Sequence, residues 1–271
     1  MRRLHLFEWE DMPWLPSVLR SYISDFLRYS QAGVDREETN CLISYKLSEV
    51  LARSSQHRLI DLGSGGGGPI LEIAKHLRSR DGELEIVLTD LYPNHDVIDR
   101  IEIRSQSKVY FENAPVSAMN VPAELRGVRT MFNAFHHFTP ADARQVLGDA
   151  VRKCAPFASF ELLTRNTFVV AISPLVIFLR ALAITPWIGR ITVPRLLLTY
   201  LLPAAPFVTA WDGAVSCMRT YTVEELRELT RGFSATYTWE AGEIALSSRM
   251  LPPITYLVGV PTPPQQYDGS V

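Results

Sequence analysis

Cysteine is scarce. Cys41, Cys154 and Cys217 are three, widely spaced and unpaired in number. They supply neither a disulfide framework nor the close spacings of zinc and redox motifs, and they suit a reducing compartment. An excess of one charge is also missing. Lys and Arg number 27 against 29 Asp and Glu, a formal net charge of −2, so nothing points to nucleic acid as a partner. The opening residues Met1 to Glu10 carry Arg2 and Arg3 but no long apolar core behind them, and no cleaved signal peptide is expected. A cytoplasmic location follows. No internal repeat is visible, and 271 residues suit one elaborated domain or a domain with a sizeable insertion.

Glycine, by contrast, is concentrated. Residues 58–68 read Arg-Leu-Ile-Asp-Leu-Gly-Ser-Gly-Gly-Gly-Gly. Leu59, Ile60 and Leu62 suit a buried strand, Asp61 sits near its end, and Gly63, Gly65, Gly66, Gly67 and Gly68 make a turn nearly free of side chains. Pro69 is a favoured first helical residue, and residues 70–77 are apolar at helical spacing. Strand, glycine turn and helix bring a backbone close to a nucleotide-like ligand. Two ligand classes compete for such a turn. A dinucleotide would place a pyrophosphate beside the Asp61 carboxylate, which repels it. S-adenosyl-L-methionine (SAM) would place an ammonium and a sulfonium there, which the carboxylate attracts, while its own carboxylate meets the amides of the following helix.

The rest of the chain splits into four parts. Residues 1–57 read as an N-terminal helical layer: Leu15, Val18, Leu19, Tyr22, Ile23, Phe26 and Leu27 recur at helical spacing, and a second helix covers 40–52. From 58 to 165 strands and helices alternate, with strands at 86–89, 109–111, 129–133 and 158–163 and a helix over 140–154, the pattern of a mostly parallel sheet covered on both faces. The core resumes over 211–260, where Thr222 and Glu225 form a capping box and strands are expected at 234–240 and 254–260. A frayed tail is expected over 261–271. Between the two core parts, 166–210 carries no charge but Arg180, Arg190 and Arg195. Prolines 174, 186, 194, 203 and 206 are expected to break it into pieces shorter than the roughly 20 residues of a spanning helix. Three readings stay open for it: a buried lid over an apolar pocket, an interfacial anchor peripheral to the inner face of a membrane, or extra core or a homodimer interface.

The Asp61-x-Gly63-x-Gly65-x-Gly67 run resembles motif I of the class I SAM-dependent methyltransferases. The resemblance implies an α/β Rossmann-like methyltransferase fold, a seven-stranded mostly parallel sheet with helices on both faces, here with N-terminal helices and an apolar helical insertion. It implies a methionine-end site at Asp61, Gly63, Ser64, Gly65 and Gly67, ribose binding by Asp90 and an adenine contact at Leu91. Where the family shows an acid and a small residue after the third strand, this chain has Ser117-Ala118, with Glu112 and Asn113 nearby as alternatives. Asn133 opens the segment Asn-Ala-Phe-His-His-Phe, similar to the fourth-strand segment of small-molecule methyltransferases, and the resemblance implies a place for it beside the cofactor. His137, or else His136, is the expected base for a hydroxyl or amine acceptor. No metal is expected, because adjacent histidines on a strand point opposite ways and no carboxylate or cysteine pattern accompanies them.

The expected reaction is in-line attack of an acceptor on the sulfonium methyl, with S-adenosyl-L-homocysteine leaving and alignment supplying most of the catalysis. The apolar insertion suggests a hydrophobic small-molecule or lipid-like acceptor. Tyr22 and Tyr29 are candidates for closing over the site. Trp211, Asp212 and Arg219 line an acceptor pocket or form a structural corner, and the aromatic, acidic stretch Phe7 to Trp14 is a pocket edge or a docking strand. Two other functions compete: a membrane-peripheral or regulatory SAM-binding protein that transfers nothing, and an NAD-dependent oxidoreductase, against which Asp61 argues.

Overall fold

Five short strands with almost every residue buried form the centre of the molecule. In the computed structural model, β1 (Arg58–Leu62), β2 (Glu85–Thr89), β3 (Val109–Phe111), β4 (Val128–Phe132) and β5 (Phe157–Glu161) all run parallel. Strands covered on both faces need continuous apolar character rather than alternation, and Val-Arg-Thr-Met-Phe and Phe-Ala-Ser-Phe-Glu are buried at every position. Two longer strands, β6 (Tyr237–Ile244) and β7 (Ile254–Pro261), complete a seven-stranded sheet of order β3-β2-β1-β4-β5-β7-β6, with β7 antiparallel to both neighbours. The structure describes residues 1–31, 37–65, 67–81, 84–93, 108–233, 236–248 and 251–262. The expected tail after 262, Gly66, and the first two residues of the strand expected at 234 lie outside them.

Each face of the sheet carries its own core. On one, Leu59, Ile86, Leu88 and Phe160 pack with α2 (Glu37–Ser54) and α3 (Ile70–Asp81). On the other, Ile60, Val87 and Met131 pack with α4 (Pro140–Arg152). Neighbours such as Leu59 and Ile60 serve opposite faces because strand side chains alternate. The start of α4 is fixed by Thr139, which accepts from the Asp142 N–H, and by Pro140 in the first turn. Inside this second core Arg129 of β4 donates to Asp149 of α4 at 2.8 Å, both side chains buried.

The N-terminal helices do not form one layer. Only α2 covers the sheet. Helix α1 (Ser17–Gln31) packs instead on the 166–210 segment: Tyr22 and Phe26 meet Ala181, Ile188 and Ala205, and Leu15 and Ile23 meet Val208. Asp25 of α1 pairs with Arg195 at 2.6 Å, both buried. The first eleven residues run as an extended arm against α6 (Ala204–Arg219), where the Leu4 N–H donates to the Met218 carbonyl and the Trp9 N–H to Asp212. Helix α7 (Val223–Thr230) follows, with the capping box of Thr222 and Glu225 present in both directions.

Within the insertion, α5 (Thr167–Ile184) continues through Pro174, and with the tight turn that follows it Thr167–Trp187 makes 21 helical residues. The expectation of short pieces therefore fails here. Proline removes one intrahelical donor but does not have to end a helix. By length and composition this helix could cross a membrane, and so could the pair Val193–Leu201 and Ala204–Arg219, bent by 71°. Only 6% of the Thr167–Trp187 window is buried. Phe168, Ile172, Leu175, Val176, Leu179 and Trp187 are exposed, so one side of this helix faces outward and is not buried.

Candidate active site

All the expected cofactor residues gather at the carboxyl edge of the parallel strands, where open α/β sheets bind ligands. Gly63, Gly65, Gly67 and Gly68 take positive φ of 69°, 50°, 87° and 42°, a conformation open to glycine at no steric cost. Ser64 staples the turn. Its N–H donates to the Thr89 carbonyl at 2.9 Å, its hydroxyl donates to Asp61 Oδ2 at 2.7 Å, and the Thr89 N–H donates back to that hydroxyl at 3.2 Å. Asp61 is buried, and its Oδ1 accepts from the Thr130 hydroxyl at 2.9 Å. Burial pushes its carboxyl up to about 7, against the opposing pull of the Ser64 and Thr130 hydroxyls. A carboxyl so placed ionises readily only when a cation arrives.

Asp90 follows β2 directly. Its Oδ2 accepts from the Gly65 N–H at 2.8 Å and its Oδ1 from the Tyr92 N–H at 2.8 Å, so it stands against the glycine turn beside the exposed Leu91. The loop after β3 reaches the same place, since the Val116 N–H donates to the Asp90 carbonyl at 2.9 Å. Ser117 and Ala118 are therefore neighbours of Asp90. The Ser117 hydroxyl accepts from the Met119 N–H and Ala118 is buried. Asn133 closes β4 with a positive φ of 50°, tolerable for asparagine, and its Oδ1 accepts from the Leu162 N–H at 2.7 Å. It joins β4 to β5. A Cβ added to Gly63 would lie 3.6 Å from that of Ala134, which brings the histidine loop against the glycine turn.

His136 and His137 lie on a short 3₁₀ turn, Phe135–His137, and not on a strand. Their ring centroids are 4.4 Å apart, so the premise that they point opposite ways fails. His136 is buried. Its Nδ1 lies 2.8 Å from Glu161 Oε2, and Glu161 Oε1 accepts from the N–H groups of Phe135 and His136. A carboxylate only accepts, so Nδ1 carries the hydrogen, and in the neutral imidazole the lone pair is then on Nε2. That buried Nε2 has no hydrogen-bond partner among the described residues. His137 is different. Its Nδ1 lies 3.1 Å from Glu8 Oε2 and 3.2 Å from Asp11 Oδ1. Burial opposes a charge there, but Asp11 and Glu8 outweigh it and hold the imidazole well above its ordinary 6.5. The same contacts bring Asp11 down to about 2 against the effect of burial. A protonated imidazole has no lone pair with which to take a proton, which weighs against His137 as the expected base, while the neutral tautomer of His136 offers Nε2.

The remaining candidates are struts. Arg219 is buried, donates to Asp11 at 2.8 Å, lies 3.2 Å from Glu8, and also donates to the Leu6 carbonyl. Asp212 accepts from the N–H groups of Trp9 and Glu10, and Trp211 donates to the Phe7 carbonyl. Together they hold the arm over the histidine loop, which makes the structural corner the better description of Asp212 and Trp211. Tyr22 is buried away from this edge, its hydroxyl within reach of the Ala181 carbonyl and the Thr185 hydroxyl, and it cannot contact a substrate there. Glu161 and Thr130 were not singled out by the sequence, and Glu8 and Asp11 only as part of the acidic stretch Phe7 to Trp14. Glu161 carries the signal that marked Asp61 and Asp90: an acid at the carboxyl end of an apolar strand.

The sequence matches no protein-family model and no curated protein sequence. The backbone is similar to solved methyltransferases. The plantazolicin methyltransferase BpumL, in complex with a triazolic desmethylPZN analog and SAH, superposes with a TM-score of 0.56 and 10% identity over 94% of this chain and 93% of that one. The CurJ carbon methyltransferase gives 0.51 and 13% over 86% of this chain and 56% of that one. The methyltransferase domain of bacterial CtHen1-C gives 0.50 and 10% over 83% and 98%. At such identities the fold is what is shared. The chain has the Rossmann-like fold of the class I SAM-dependent methyltransferases, with their strand order.

Proposed function

We propose that the protein binds SAM at the Asp61–Asp90 edge and transfers its methyl group to a hydrophobic small-molecule or lipid-like acceptor, releasing S-adenosyl-L-homocysteine. One observation carries the reading. A buried carboxylate with a raised pKa, Asp61, faces a side-chain-free turn within contact of Asp90 and of a loop bearing an unpartnered imidazole nitrogen. A dianionic pyrophosphate would be repelled by Asp61, whereas the ammonium of SAM would be held by it. The methionine carboxylate would meet the first amides of α3, and Asp90 would exchange its backbone partners for ribose hydroxyls.

The acceptor class follows from the exposed insertion. Phe168, Leu175, Val176, Leu179, Trp187 and Leu201 are apolar and open, and Arg180 and Arg190 lie exposed along the same segment. Apolar patches of this kind mark interaction surfaces, and arginines among them suit the anionic head groups of a membrane. We therefore place the protein peripherally on a cytoplasmic membrane face, with the acceptor drawn from the lipid phase. The test is twofold. Calorimetry should show SAM binding that Asp61→Ala weakens by about tenfold or more, and labelled SAM should transfer its methyl to a component of a lipid extract. SAM binding without transfer would favour a regulatory SAM-binding protein. Thermal protection by NAD and not by SAM would remove the reading.

A further inference from the structure

We propose that Glu8, His136 and His137 form a binding site for one divalent transition-metal ion. The three residues come from the arm and from the histidine loop, and one ligand atom from each lies within 4.8 Å of the others. Glu8 Oε2 and His137 Nδ1 are 3.1 Å apart, close to the about 3.3 Å that separates two ligands on one tetrahedral zinc with bonds near 2.0–2.1 Å. His136 adds an independent observation. It is 2% exposed, and its Nε2 is buried without a partner among the described residues, an arrangement that costs free energy unless something occupies the lone pair.

The surroundings match what holds a ligating histidine in place. Glu161 accepts the His136 Nδ1–H at 2.8 Å and is itself fixed by the N–H groups of Phe135 and His136. This carboxylate–imidazole pairing sets the tautomer that presents Nε2 and raises its basicity toward a metal. Glu8 is 1% exposed, and its other oxygen accepts from the Ser216 hydroxyl at 2.9 Å. Charge points the same way. Glu8, Asp11 and Glu161 contact the two imidazoles, joined by the Arg219 guanidinium. Three carboxylates against one guanidinium leave an excess of acid around the two imidazoles, surroundings that draw a cation. Arg3 directs its donors to the carbonyls of His136, Phe138 and Arg219; Arg219 donates to Leu6 and Asp11, and its Nη1 also lies 3.2 Å from Glu8 Oε2 and 3.5 Å from His137 Nδ1, a contact that a bound ion would displace. Two imidazoles and a carboxylate suit zinc and its first-row neighbours better than magnesium or calcium. On the methyltransferase reading, the ion would stand beside the glycine turn, where it could hold an acceptor oxygen.

The test reads the metal alone and needs no cofactor or acceptor, so its failure leaves the methyltransferase reading standing. Metal-stripped full-length protein is titrated with Zn²⁺ by calorimetry and with Co²⁺ by visible absorption. One equivalent should bind, with cobalt d–d bands that Zn²⁺ displaces. His136→Gln and Glu8→Gln should each weaken Zn²⁺ binding at least tenfold, Glu161→Gln by about 10–100-fold, and the exposed His57→Gln not at all. Circular dichroism checks each fold, and the wild-type cobalt spectrum stands without any variant. Absence of stoichiometric binding to the wild type, or Zn²⁺ affinity unchanged in folded His136→Gln, overturns the site.

Discussion

Thr130 of β4 stands opposite Asp61 of β1 in the parallel register, and its hydroxyl donates to Asp61 Oδ1 at 2.9 Å. With Ser64 on the other oxygen, the carboxyl is held by two hydroxyls and no cation among the described residues. Its pKa of about 7 against an ordinary 3.8 means that the folded chain holds a proton there which the unfolded chain releases. Between those values the folded state binds more protons, so stability should fall as pH rises from about 4 to about 7, by up to roughly 4 kcal/mol as an upper bound. Asp61→Asn should flatten that slope. Melting temperatures of both proteins across pH 4–8 measure it, and parallel curves would show that Asp61 does not titrate in this window.

SAM affinity should run the other way. The ammonium needs the ionised carboxylate, so binding should strengthen by about tenfold per pH unit below 7 and level off above it. Calorimetry at pH 5.5, 6.5 and 7.5 would show this, and a pH-independent Kd would disconnect Asp61 from the ligand.

His136→Ala should lower single-turnover methyl transfer by about 10²–10⁴ with SAM affinity nearly unchanged, whether Nε2 serves as a base or as a ligand. His137→Ala should cost less in rate and more in stability, because it strips the charge that Glu8 and Asp11 surround. Comparable rates for wild type and His136→Ala would make the loop purely structural.

The pair between Asp149 and Arg129 offers a test away from the site. Removing Asp149 leaves a buried guanidinium uncompensated, and Asp149→Ala should cost about 3–5 kcal/mol in urea unfolding. Lys153 and the Val121 N–H, together with Arg129, hold the Asp149 carboxyl below its ordinary 3.8 despite burial. Its contribution is therefore present above about pH 4 and should fade as pH falls through the lowered value. A loss below 1 kcal/mol would mean that the core repacks around Arg129.

Leu175→Glu with Leu179→Glu should abolish flotation with anionic liposomes and leave the melting temperature unchanged, since both side chains are already exposed. Wild-type flotation should weaken at high salt as the arginines are screened. A dimer in solution that these substitutions dissociate, with no liposome binding by the wild type, would assign the face to a second copy.

The parallel part of the sheet was legible because β1 to β5 follow one rule: short apolar runs, each ending near an acid or an asparagine. Asp61, Asp90 and Asn133 were found that way, and Glu161 was overlooked at the end of just such a run. The capping box at Thr222 needed no tertiary information. What the sequence hid were contacts between distant stretches. The stretch with Glu8 and Asp11 reads as a pocket edge or a docking strand until α6 brings Arg219 beneath it, and Tyr22 reads as an active-site aromatic until α1 turns away from the sheet to bury it against Ala181. Pro174 misled for a local reason, since a proline in an exposed apolar helix bends the rule for helix ends without breaking the helix.

The arm also fixes when the site can exist. Glu8 and Asp11 are synthesised more than 200 positions before Arg219. The Rossmann-like strands β1 to β5 can pair as they emerge, but the arm has no surface to lie on until α6 has left the ribosome. Contacts of such long sequence separation form late, after the loop between them has closed. The nascent chain is therefore expected to pass through a stage in which the glycine turn is complete while the histidine loop stands uncovered, until residues 1–11 dock against α6 and Arg219.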